Sequence, residues 1–157
     1  VALYNIMVHY RGKGYSKIPS KQSQLYSIIK KQATNLGYNY EKSRGLSVTK
    51  NDNLVKNTWR KGFGYTSGKG FNNYLWTSST ATKAINKGKP IMFSLASGVY
   101  FDHTITVYGY KVYKNNRTGK KYTFLMLKDG WSNSTRYLAW KNTGASYVGC
   151  MTSITAP

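Results

Sequence analysis

Two runs decide the reading of this chain: His103-Thr104-Ile105-Thr106-Val107-Tyr108-Gly109-Tyr110-Lys111-Val112 and, after a polar break, Tyr122-Thr123-Phe124-Leu125-Met126-Leu127-Lys128-Asp129-Gly130-Trp131-Ser132. Both are rich in β-branched and aromatic residues, which favour a pleated, half-buried surface. The break between them, Lys114-Asn115-Asn116-Arg117-Thr118-Gly119-Lys120, is hairpin-like. Paired antiparallel, the runs put His103 at the start of one strand and Asp129 at the end of the next. Imidazole and carboxylate then share one end of a sheet. A carboxylate there can accept the Nδ1 proton and leave Nε2 to exchange protons with a nucleophile.

Further strands are expected at Ile91–Ala96, Arg136–Trp140 and Ser146–Ser153. Upstream the period changes to helical. Leu3, Ile6, Met7 and Tyr10 fall at i, i+3, i+4 and i+7, predicting a first helix over residues 1–11, apolar nearly all round and therefore buried. A second follows Pro19 with Ser20 as N-cap and Leu25, Ile28, Ile29, Ala33 and Leu36 on one face. A third, short helix carries Leu54, Val55 and Trp59 behind Asn51 or Asp52, and a fourth covers Thr80–Lys87. The glycine-rich stretch from Gly62 to Asn73 reads as irregular. Helices first and an antiparallel sheet second make an α+β fold. The length of 157 residues makes it one domain, mainly helical over 1–89 and mainly sheet over 90–157.

The His-strand-Gly-Tyr piece and the strand ending in Asp129-Gly130-Trp131-Ser132 resemble the second half of bacterial papain-like cysteine peptidases. The nearest branches are secreted double-glycine-peptidase-like domains and, further off, the staphopains. The opening Val1-Ala2-Leu3-Tyr4-Asn5-Ile6-Met7 is similar to their central helix just after its Cys-Gly-Pro. The resemblance implies a helical half packed on a sheet half, with His103 as base, Asp129 as its orienter and Trp131 shielding their hydrogen bond. It implies thiol-dependent hydrolysis of peptide bonds, and a nucleophile just before Val1. Neither that Cys nor the family's oxyanion Gln is among these residues, so the chain as it stands is expected to be inactive. Asp102 is a candidate tuner of the base, although a turn-forming Asp accounts for it better.

Composition narrows the partners. Lys and Arg number 24 against 4 acidic residues, a net charge of +20. Such a field draws a protein to polyanions. The cations are mostly lysine and spread along the chain, with no arginine-rich arm, which disfavours nucleic acid and leaves an anionic cell-wall polymer as the candidate beside a peptide substrate. A second class of function is therefore a non-catalytic basic binding module. Cys150, the only thiol, sits in a strand context and reads as buried and structural rather than nucleophilic. His9 reads as a packing residue. Two histidines and four carboxylates offer no metal spacing, so no metal or cofactor is expected. No apolar run is long enough to span a membrane. Absent disulfides, Lys-, Asn-, Ser- and Tyr-heavy usage and the resemblance together point to secretion from a Gram-positive bacterium.

Overall fold

The computed structural model of the chain describes residues 1–96, 98–140 and 149–157. The fold is α+β: helices α1 (Ala2–Gly12), α2 (Gln22–Thr34), α3 (Asn51–Asn57) and α4 (Ser78–Asn86), and a six-stranded antiparallel sheet. The strands are β1 (Lys69–Asn73), β2 (Ile91–Leu95), β3 (His103–Lys114), β4 (Lys121–Lys128), β5 (Arg136–Trp140) and β6 (Gly149–Thr155), in the order β1-β6-β2-β3-β4-β5. Two compact units emerge. One comprises Val1, Leu3–Asn72 and Thr152–Pro157; the other comprises Ala2 and Asn73–Met151. The second unit takes in α4, which packs on β2 and β3.

In the first unit the helical periods hold. Leu3, Ile6, Met7 and Tyr10 of α1 are all buried, as are Leu25 and Ile29 of α2 and Leu54 and Val55 of α3. Tyr10, Tyr15, Trp59, Phe63 and Tyr65 form a ring cluster around Trp59, whose centroid lies 5.3 Å from Tyr15 and 5.4 Å from both Tyr10 and Tyr65. Tilted and edge-on contacts of this kind suit the aromatic quadrupole. Burial pushes the Tyr10 phenol up to about 12, with help from Tyr15. Three local expectations are corrected. Lys21, not Ser20, is the N-cap of α2, with no side-chain cap bond. The helix after Asn57 continues as a π turn over Thr58–Gly62, which carries Trp59 into the cluster. The Gly62–Asn73 stretch ends in a strand, β1, where an irregular segment was expected.

The second unit is built on the predicted hairpin. β2, β3, β4 and β5 pair antiparallel in sequence order, with Phe93 opposite Ile105 and Val107 opposite Leu127. Their inward residues, with Ala81 of α4, form one apolar core that includes Ile91, Phe93, Leu125, Leu127 and Leu138. Each large side chain buried there contributes about 1.5–3 kcal/mol of transfer free energy. The Thr80 hydroxyl accepts the N–H of Thr77 at 3.0 Å, one arm of a capping box that starts α4 two residues earlier than expected. The pairing shifts between Val107 and Gly109. That bulge changes which parity points inward, from Ile105 and Val107 to Tyr110, opposite Leu125. The expected strand over Ser146–Ser153 has its first three residues outside the described residues; Gly149 onward is β6.

Candidate active site

β3 begins at His103, and β4 ends at Lys128 with Asp129 following at once. Thr106 lies opposite Lys128. Continued by counting, that register would set position 131 opposite position 103. The indole of Trp131 does stack on the His103 imidazole, with centroids 4.5 Å apart and planes 27° apart. Tyr100, from the turn before β3, completes a three-ring layer, 5.3 Å from Trp131 and 6.2 Å from His103. All these residues lie in the sheet unit.

The hydrogen bonding differs from expectation in an instructive way. His103 Nε2 meets the main-chain carbonyl oxygen of Asp129 at 2.5 Å, not its carboxylate. A carbonyl oxygen only accepts, so Nε2 must carry the proton. In the neutral ring the lone pair is then on Nδ1, the reverse of the tautomer expected above. The carboxylate has other work. Its Oδ1 accepts the N–H groups of Trp131 at 3.0 Å and Ser132 at 3.2 Å, closing the turn, and its Oδ2 lies 3.7 Å from Arg136 Nε. Asp129 is 4% exposed. Burial pushes its pKa up, but the two N–H groups and the Arg136 guanidinium outweigh it, and the carboxyl sits below the usual aspartate range. Burial, and then the charge of Asp129, push the Tyr100 phenol up.

Trp131 is 62% exposed, so it covers one face of the imidazole while remaining open to solvent itself. Asp102 has φ 52°, a left-handed turn residue immediately before the strand. Asp tolerates that region better than most residues, so the backbone conformation explains its presence. Cys150 is fully buried, as a structural thiol should be. The His9 ring packs edge-on against Tyr10, 5.4 Å away. Among the described residues no group of three or more His, Cys, Asp and Glu could hold a metal ion, and no helix is long and apolar enough to cross a membrane.

Two participants were missed from sequence. Tyr100 had a weak signal, an aromatic three residues before the histidine. Arg136 had none until β5 was placed: its register partner is Leu127, two residues before Asp129. Within the same unit the Thr106 hydroxyl donates to the Ala2 carbonyl at 3.0 Å in a buried setting. The chain matches no protein-family model, and no curated protein or solved structure is significantly similar to it.

Proposed function

We propose that this chain is a papain-like, thiol-dependent peptidase domain in which His103 is the general base and Asp129 fixes it. The observation that carries the reading is the anchoring of His103 Nε2 on an acceptor-only carbonyl, with the ring stacked on Trp131. This arrangement sets both the tautomer and the plane of a base at a strand end, which is what positioned proton transfer requires. The thiol belongs just before Val1. That position follows from the resemblance of residues 1–7 to the start of the family's central helix.

In this proposal Nδ1 takes the thiol proton and the thiolate attacks the peptide carbonyl carbon. The imidazolium then gives its proton to the departing amine, leaving a thioester, and Nδ1 next takes a proton from the water that hydrolyses it. Asp129 contributes through its main chain, while its carboxylate, Arg136 and the turn hold that carbonyl in place. Residues 1–157 alone have no thiol at that point and are expected to be inactive. Export from the cell, where a peptide substrate would be met, is part of the same proposal.

The test is the chain expressed with the residues its gene encodes upstream. A thiol alkylating agent should label one upstream cysteine at neutral pH, and His103→Ala should abolish fast labelling while the protein still melts cooperatively. An upstream sequence without cysteine, or labelling confined to Cys150, overturns the proposal.

A second reading, a non-catalytic scaffold for an anionic polymer, is favoured by a separate observation, the uncompensated lysines of the β3–β4 hairpin. Absence of hydrolysis of any peptide pool by the longer chain would favour it.

A further inference from the structure

The far half of the β3–β4 hairpin runs past the core. Every residue from Lys111 to Lys121 is exposed, including Val112 and Tyr113. Five of these eleven residues are cations, Lys111, Lys114, Arg117, Lys120 and Lys121, and no carboxylate occurs anywhere from His103 to Lys128. Lys114 and Lys121 are direct cross-strand partners. Like charges placed opposite each other destabilise a strand pair. Here no acidic residue of the hairpin offsets the cost, so a bound anion would relieve it.

The rings beside these cations show which kind of anion suits them. Lys111 Nζ lies over the Tyr137 ring at 5.3 Å and Lys120 Nζ over the Tyr122 ring at 5.7 Å, while Tyr113 meets Phe124 edge-on at 5.5 Å. Tyr137 and Tyr122 each carry a lysine head group over the ring, which competes with a stacking base for that face. Four of the five cations are lysines, point charges without the planar fork that reads a phosphate or base edge bidentately. We propose that the Lys111–Lys121 arm docks a flexible polyol phosphate chain, a polyanion with one phosphodiester per repeat and no bases. The arm grips it by charge alone, tolerant of register, and independently of whether the peptidase reading holds.

The experiment measures binding of poly(glycerol phosphate) against sodium chloride concentration. It compares the native chain with Lys111→Ser/Lys114→Ser/Lys120→Ser/Lys121→Ser, and with a charge-matched control, Lys30→Ser/Lys31→Ser/Lys42→Ser/Lys50→Ser, whose sites are all exposed and lie in the other unit. Each lost phosphate contact lowers the slope of log K against log salt by about 0.7, so the arm variant should lose a slope of roughly 2–3 and at least about tenfold in affinity at low salt. The control should change by less than about threefold, the share of a diffuse field. The arm variant should melt no lower than the native chain, since it removes an opposed lysine pair. Equal losses in both variants overturn the proposal in favour of generic surface charge. Oligothymidylate of equal phosphate number binding about tenfold tighter, with that excess lost on Tyr137→Ala, overturns it in favour of single-stranded nucleic acid.

Discussion

Replacing Asp129 separates two roles that the site assigns to different atoms of one residue. The carboxylate closes the turn, and the main-chain carbonyl orients His103. Asp129→Ala deletes the acceptor of two N–H groups in a nearly covered position. Hydrogen bonds to a charged group are worth about 1.5–3 kcal/mol each, and both bonds are only part-buried, so the low end applies and the loss of the two should be about 3 kcal/mol. The Arg136 pair adds little, because that arginine is 54% exposed and exposed ion pairs contribute at most about 1 kcal/mol. Asp129→Asn keeps an oxygen where Oδ1 stands. Neutral bonds are roughly half as strong, but the burial cost of the charge also disappears, so the net loss should be about 1 kcal/mol. Urea denaturation at neutral pH measures both.

The pH dependence follows from the lowered carboxyl. A depressed pKa contributes stability that is fully present above the ordinary aspartate value and is lost as pH falls through the lower folded value. The gap between native and Asn variant should therefore close in acid. Imidazole nitrogen shifts by NMR supply the decisive readout. The Nε2–H tautomer of His103 should persist in Asp129→Asn and be lost or mixed in Asp129→Ala. If Asn destabilises as much as Ala, or converts His103 to the Nδ1–H tautomer, the carboxylate itself orients the ring and the assignment to the main chain is wrong.

Three other perturbations test the frame. Tyr10, pushed up to about 12 by burial and then Tyr15, contributes stability that is whole below the ordinary phenol value of about 10 and disappears as pH rises through about 12; Tyr10→Phe should remove that alkaline step from a stability–pH curve. A Cβ at Gly149 would collide with the Ser94 carbonyl oxygen, so Gly149→Ala should cost more than about 3 kcal/mol or prevent soluble expression, and a native-like melt would refute that close approach. Trp131→Ala removes a ring that is mostly exposed, so stability should fall by about 1 kcal/mol or less while the His103 ring-proton shifts move strongly; unchanged shifts would refute the stack.

The parts of the fold that sequence exposed are those where one periodicity dominates. α1 is apolar at every turn and β4 is a nearly continuous apolar run, so neither tolerates another assignment. β1 was hidden because Lys69-Gly70-Phe71-Asn72-Asn73 has no apolar alternation; Gly70 is there for approach, since a Cβ on it would sit 2.8 Å from the Asp52 Cα. The π turn was hidden because an extra residue in a helix leaves no compositional mark. At the site, the neighbourhood of His103 and Asp129 was legible from strand ends. Which atom of Asp129 faces the ring was not, since it depends on how the 129–132 turn folds back on its own carboxylate.

The bulge between Val107 and Gly109 is what allows one hairpin to serve both ends. Before it, odd positions point inward, so Ile105 and Val107 join the core while His103 opens the strand on the same parity. Had that parity continued, Gly109 would stand opposite Leu125 and Tyr110 would turn toward water. The core would then lose the Tyr110 ring packed against it, a larger loss than the ladder hydrogen bond given up at a bulge. The extra residue instead turns Tyr110 inward, onto Leu125, and frees Lys111 to lie over Tyr137. Deleting Tyr108 should therefore be far more damaging than substituting it: Tyr108→Thr loses little more than one exposed hydroxyl contact with Thr135, whereas the deletion forces every later β3 residue onto the wrong face. If the deletion variant unfolds at the same urea concentration as Tyr108→Thr, the register does not depend on the bulge, and the separation of the His103 end from the charged end loses its structural cause.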